Sequence, residues 1–263
     1  MSVTVYVGGR LLPVEDIEAW ERARALRVAR TLQRRLRLPK RDIAHDDAGA
    51  ARDMAAIRAA LVDMKLSVEP DVLRRMLRWE TTFSGWSTRV INALGLGRRR
   101  SSVTEIFVEG CSAEEMRERY YGLMLRNSPR NRQLGLIANP DHYVLEAHGE
   151  TVQEVIETTG GSPMPSRFFI YYGVEDGLTS RKDPLFPVQL AGVCCLEDGT
   201  AIGGIRHQMR DHAGGLHARL EVEFPARLLP WMIRQHQMHL ACEFHRWFTD
   251  LLDPASGLAE VGA

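Results

Sequence analysis

The chain has 263 residues, 34 basic and 34 acidic, so its formal net charge is zero and no nucleic-acid partner held by phosphate neutralisation is expected. A hydrophobic content of 44 % with 26 % charge is that of a globular protein with a sizeable core. No apolar run reaches the ~18–20 residues of a membrane span. The four cysteines lack C-x-x-C spacing, and residues 1–13 show no signal-peptide pattern, so a cytoplasmic protein with no membrane partner is expected.

Residues 14 to about 95 read as helical. Between Glu15 and Leu38 there is no Gly or Pro, and Ile17, Trp20, Ala25, Val28, Leu32 and Leu36 recur mostly at three- and four-residue steps. A second helix ends at Met64, its stripe formed by Met54, Ile57, Ala60, Leu61 and Met64. Pro70 suits the first turn of a third, which carries Leu73, Leu77 and Trp79. Leu94 to Ser102, rich in Gly and Arg, reads as a linker. The expected organisation is an N-terminal helical region over residues 1–100 and a second domain over 101–263.

From residue 103 the pattern changes. Val103–Glu109 reads as a strand, and Ser112 with Glu115 forms a capping box for a short helix. Arg126 to Asp141 reads as irregular. Six strand-like runs follow, beginning at His142, Val152, Arg167, Val188, Ala201 and His217, separated by Gly-rich breaks. In the last, His217, Arg219, Glu221 and Glu223 alternate with Ala218, Leu220, Val222 and Phe224, which implies one wet and one packed face. A long amphipathic helix from about Ala226 to Leu252 is the cover for the packed face. This α+β order resembles the helix-grip architecture of Bet v 1 and START-like folds, in which a curved antiparallel sheet wraps a long C-terminal helix around a pocket.

The final helix carries the informative residues. Projection at ~100° per residue puts Leu229, Met232, Ile233, Leu240, Phe244, Trp247 and Leu251 on one face, with His236, His239 and Glu243 in the same sector. Ala241 falls near the opposite side and Cys242 off the buried face. A carboxylate on a buried stripe is costly unless it is paired or binds a metal. His239 and Glu243, four apart, can converge on one ion, and His236 is one turn away. The sheet must supply further ligands. His142, Glu146, Glu154, Glu157, His148, His207 and His212 are the candidates, and periodicity leaves the choice between Glu154 and Glu157 open.

Three short motifs carry a family resemblance: Asn139-Pro140-Asp141-His142, Glu157-Thr-Thr-Gly160-Gly161 and His239-Leu-Ala-Cys-Glu243. Their order, over roughly residues 70 to 252, resembles the zinc-dependent 2,4-diacetylphloroglucinol hydrolases and the related phloretin hydrolases. Asn139 stands where that family has a second histidine. The resemblance implies a metal held by His142, Glu157, His239 and Glu243, with zinc the first choice and iron or manganese compatible. It also implies hydrolysis of a carbon–carbon bond between an acyl group and a phenolic ring. The substrate would be a small aromatic or polyketide-like molecule, and His236 a proton donor or a partner of a ligand. The rival reading is a metal-free binder or cyclase in which Glu243 pairs with Arg167, Arg206 or a histidine. The apolar stripes of the N-terminal helices, with Trp79 and Trp86, are expected to bury against the same chain or against a second protomer in a homodimer.

Overall fold

The computed structural model describes residues 2–39, 42–46 and 49–252. The chain begins with a hairpin, β1 (Val3–Val7) and β2 (Arg10–Leu12), turned by Gly8 and Gly9, both at positive φ. The region expected to be helical, residues 1–100, thus opens with a hairpin ahead of its helices. Alternation in Val3–Val7 and a two-glycine turn are hairpin signals, and the left-handed conformation at both turn positions is what glycine permits. Three helices follow: α1 (Val14–Leu36), α2 (Met54–Leu66) and α3 (Pro70–Leu94). Asp53 caps α2 by accepting from Ala56 N, and Pro70 opens α3.

β3 (Arg99–Glu109) starts earlier than the sequence suggests and pairs along its whole length with β9 (Gly215–Pro225). Arg99 to Ser102 are therefore strand, not linker, and the boundary expected at residue 100 falls inside β3. α4 (Ala113–Met124) is capped by Ser112, as its spacing predicts. The stretch expected to be irregular contains α5 (Pro129–Ala138), capped by Ser128 with Pro129 in its first turn. Strands β4 (His142–His148), β5 (Val152–Glu157), β6 (Ser166–Tyr172), β7 (Val188–Cys195) and β8 (Ala201–His212) lead to β9, and α6 (Pro230–Leu252) closes the described chain. The nine strands form one antiparallel sheet in the order β2-β1-β3-β9-β8-β7-β6-β5-β4.

Helix α6 lies against β3 and β1 on the sheet side and against α5 and α1 on the other. It is enclosed nearly all round, so Ala241 and Cys242 are as buried as Phe244, Trp247 and Phe248. This corrects the expectation that Ala241 and Cys242 face away from the core. Each large side chain buried there contributes about 1.5–3 kcal/mol. The outer ends of β4 and β5 are covered by α1–α3, where Leu32, Ile57, Leu73 and Leu77 pack with Tyr143, Val144 and Ile156. Helices α1 and α2 thus bury their apolar faces within the same chain, whereas on α3 Leu73 and Leu77 are buried and Trp79 and Trp86, expected to bury, are exposed. The face of β9 expected to be wet is roofed by residues 173–187. Thr179 N and Ser180 N donate to Glu223, and Phe186 packs on His217.

Helix α3 runs along one rim of the sheet, where β5, β7 and β9 end and β6 and β8 begin. Ser84 Oγ bonds Ser166 Oγ at 2.7 Å, Arg89 pairs with Asp198, and Asn92 Nδ2 donates to Ala201 O. Between α3, the inner face of the sheet and α6 lies a cavity of about 440 Å³.

Candidate metal centre

β5 is buried on both faces, which is why its apolar residues show no simple alternation. Gln153, Val155 and Glu157 line the cavity, whereas Glu154 and Ile156 point the other way, toward α1, α2 and the first half of α3. Glu157 is therefore the inward carboxylate. Glu154 is held by Arg74 and by Arg167 Nε at 2.6 Å. Burial opposes its ionisation, but these arginines hold its carboxyl down at about 2.

A register shift between His142 and Val144 bulges β4 and turns His142 inward, directly opposite Glu157 across the ladder. His239 and Glu243 reach the same point from α6. His142 Nε2 lies 3.5 Å from Glu157 Oε2 and 3.6 Å from Glu243 Oε1. His239 Nε2 lies 3.6 Å from Glu157 Oε2 and 3.7 Å from Glu243 Oε2. These separations are too long for hydrogen bonds. They are close to the ~3.3 Å expected between donors that each sit about 2.0–2.1 Å from a tetrahedral ion. His142 Nδ1 bonds Gly135 O at 2.7 Å, which fixes the tautomer and leaves the Nε2 lone pair aimed at the cluster. His142 Nε2 and both ring nitrogens of His239 are buried without a hydrogen-bond partner. Orphaned imidazole nitrogens facing two carboxylates are what a cation would satisfy. His142, His239 and Glu243 lie close enough together to hold a divalent ion, and Glu157 adjoins both histidines.

The electrostatics follow from the same crowding. Burial drives His142 down to about 3. Burial also opposes the charge on His239, but Glu157 and Glu243 outweigh it and lift that imidazole to about 9. Glu243 rises to about 8 through burial, which attraction to His239 only partly offsets. Burial would raise Glu157 too, yet His239 and His142 hold it at about 2.

His236 sits beside the cluster and outside it. Its ring stacks on His239 at 5.4 Å and 7°, its Nδ1 meets Ser102 Oγ at 3.1 Å, and burial brings its pKa to about 3. The loop after β5 presses against the same turn of α6. A Cβ at Gly160, where φ is 21°, would lie 2.3 Å from His236 Cα. Gly160→Ala should therefore push the loop off α6 and cost at least ~3 kcal/mol, read as a lower urea midpoint. A midpoint unchanged from wild type would contradict this packing.

The other candidates lie elsewhere. Glu146, His148 and Glu154 form a second group whose spacing could hold an ion, but Arg74 and Arg167 already occupy its carboxylates. His212 packs on Phe107, near His217. His207 lines the cavity, edge-on to Phe244, with Nδ1 unpartnered. Of the tyrosines, Tyr120 lines the cavity, and Tyr172 is buried and donates to Gln153 Oε1 at 2.9 Å. Arg206 pairs with Glu175 and bonds Gln189, so neither it nor Arg167 serves as a partner for Glu243.

Sequence reasoning missed the residues that hold the ligand-bearing segment. Asp141 is fully buried and takes both hydrogen bonds of the Arg24 guanidinium at 2.7 Å. Lys65 is also fully buried and donates to Pro140 O and His142 O; burial lowers its pKa to about 7. Asn139 Nδ2 donates to His239 O, tying the junction between α5 and β4 to α6. One signal was available: Lys65 follows Leu61 by one helical turn and so falls on the buried stripe of α2.

No family model and no curated protein matches this chain. Among solved structures, protein Ms6760 from Mycobacterium smegmatis is similar to it at 14 % identity and a TM-score of 0.37. The match covers 58 % of this chain and 91 % of that one, and a likeness of this degree carries no argument about fold or function.

Proposed function

We propose that this chain is a metal-dependent hydrolase of the carbon–carbon bond between an acyl group and a phenolic ring, on a helix-grip fold akin to the 2,4-diacetylphloroglucinol and phloretin hydrolases. The observation that supports this most is the grouping of His142, His239 and Glu243, with Glu157 beside both histidines and with unpartnered imidazole nitrogens, at the wall of an apolar cavity. Two imidazoles and two carboxylates suit zinc, and iron or manganese are compatible. Such an ion supplies polarisation of a ketone carbonyl and acidification of water.

The chain's own residues do the rest. Apolar walls such as Phe168, Ile205 and Phe244 exclude water and fit a small aromatic or polyketide-like substrate. Hydrolysis forms a bond from water oxygen to the acyl carbon. The ring–acyl bond then breaks, its electron pair stays on the ring carbon, and that carbon takes a proton. His236, neutral and anchored by Ser102, is placed on the cavity wall to accept and return that proton. His236→Ala should keep its metal while turnover falls about 10²–10⁴-fold. A variant that retains both metal and turnover removes this role.

The reading is tested by incubating the zinc-supplied chain with mono- and diacylated phenols and separating the products. Release of the carboxylic acid and the deacylated phenol is expected. Tight binding without turnover by a metal-free chain would favour the binder or cyclase instead.

A further inference from the structure

Among the described residues, eight of the thirteen exposed large hydrophobics gather along one rim of the molecule: Trp79, Phe83, Trp86, Val90 and Leu94 on α3, Leu96 just after it, and Leu229 and Trp231 at the start of α6. On α3 the first four recur at steps of four, three and four, so they form one outward stripe, opposite the buried Leu73, Leu77 and Ser84. Trp79 is 74 % exposed and Leu96 88 %. Leu96 also adopts φ 50°, a conformation leucine rarely takes, at the tip of the turn into β3. Patches of this kind mark an interaction surface.

The charge around the stripe narrows the partner. The whole chain is neutral, yet residues 70–100 carry seven arginines against Asp71 and Glu80. Both acids are already engaged, Asp71 by Arg74 and Glu80 by Arg35. Arg75, Arg78, Arg98 and Arg100 are exposed, as is Arg227 beside Leu229. Arg78 lies over the Trp79 ring. Pairing two copies through this face would bring two net-positive segments together, whereas an anionic surface complements them. Tryptophan, scattered apolar anchors and flanking arginines are what a helix resting in a lipid–water interface presents.

We propose that the rim formed by α3, the 95–98 turn and the start of α6 docks on an anionic lipid bilayer surface. This is independent of the hydrolase reading, and it revises the expectation of no membrane partner: a chain with no spanning helix among its described residues can still lie on a bilayer. Phe83, Arg227, Leu229 and Trp231 also line the cavity, so its mouth would face the lipid.

The test is co-sedimentation of the full chain with phosphatidylcholine vesicles, with and without phosphatidylglycerol. Binding to the anionic vesicles should be at least about tenfold tighter, weaken in high salt, and shift tryptophan emission to the blue. Trp79→Ser with Trp86→Ser, and separately Arg75→Glu with Arg78→Glu, should each weaken binding about tenfold or more with the thermal midpoint unchanged. Equal binding to both vesicle types, or to neither, would overturn the proposal. So would a concentration-dependent mass, abolished by the tryptophan substitutions, in a chain that ignores vesicles; that result would assign the face to a second copy.

Discussion

Replacing Glu243 with glutamine should reduce the metal content of the purified, dialysed chain from about one ion per molecule to near zero. The substitution is close to isosteric and removes an anionic ligand that lies 3.6 Å from His142 Nε2 and 3.7 Å from His239 Nε2. The fold should survive, because burial already favours the neutral form of this side chain. Glu154→Gln is the matched control. It alters the second candidate group, whose carboxylate is committed to Arg74 and Arg167, and should leave metal content unchanged. Elemental analysis of the two variants separates the clusters. Metal retained in Glu243→Gln and lost in Glu154→Gln would place the ion at the wrong end of β5 for the proposed chemistry.

Arg24→Ala should lower unfolding stability by about 3–5 kcal/mol, the usual cost of leaving a buried carboxylate without its partner. Asp141 is fully buried, and Arg24 from α1 binds both of its oxygens. The same residue's backbone oxygen accepts from Thr158 N, beside Glu157, and its neighbour is His142. Loss of Arg24 should therefore also weaken metal binding, although it touches no ligand. Urea titration measures the first effect and metal competition with a chelator the second. A variant with wild-type urea midpoint and metal affinity would show that α1 does not support the centre.

The final helix and the burial of its polar residues were legible because burial leaves a period: His236, His239 and Glu243 fall on an apolar face, and all three are buried. Strands β4 to β9 were legible from their turns. Glu157 was not separable from Glu154, because β5 is packed on both faces and its polar residues serve two different environments. The wet face assigned to β9 was wrong for a related reason, since a loop distant in sequence roofs it with hydrogen bonds to Glu223. The β1–β2 hairpin and α5 did carry local signals, a Gly-Gly turn and a Ser-Pro cap. The Arg24–Asp141 and Lys65 contacts join residues 117, 75 and 77 positions apart, and no local pattern encodes them.

The most direct test of the metal centre is anomalous diffraction at the metal absorption edge, from crystals of the chain grown with zinc. The account predicts one strong peak about 2.0–2.2 Å from His142 Nε2, His239 Nε2 and the carboxylates of Glu157 and Glu243. A peak among Glu146, His148 and Glu154, or no peak in zinc-supplied crystals, would contradict it.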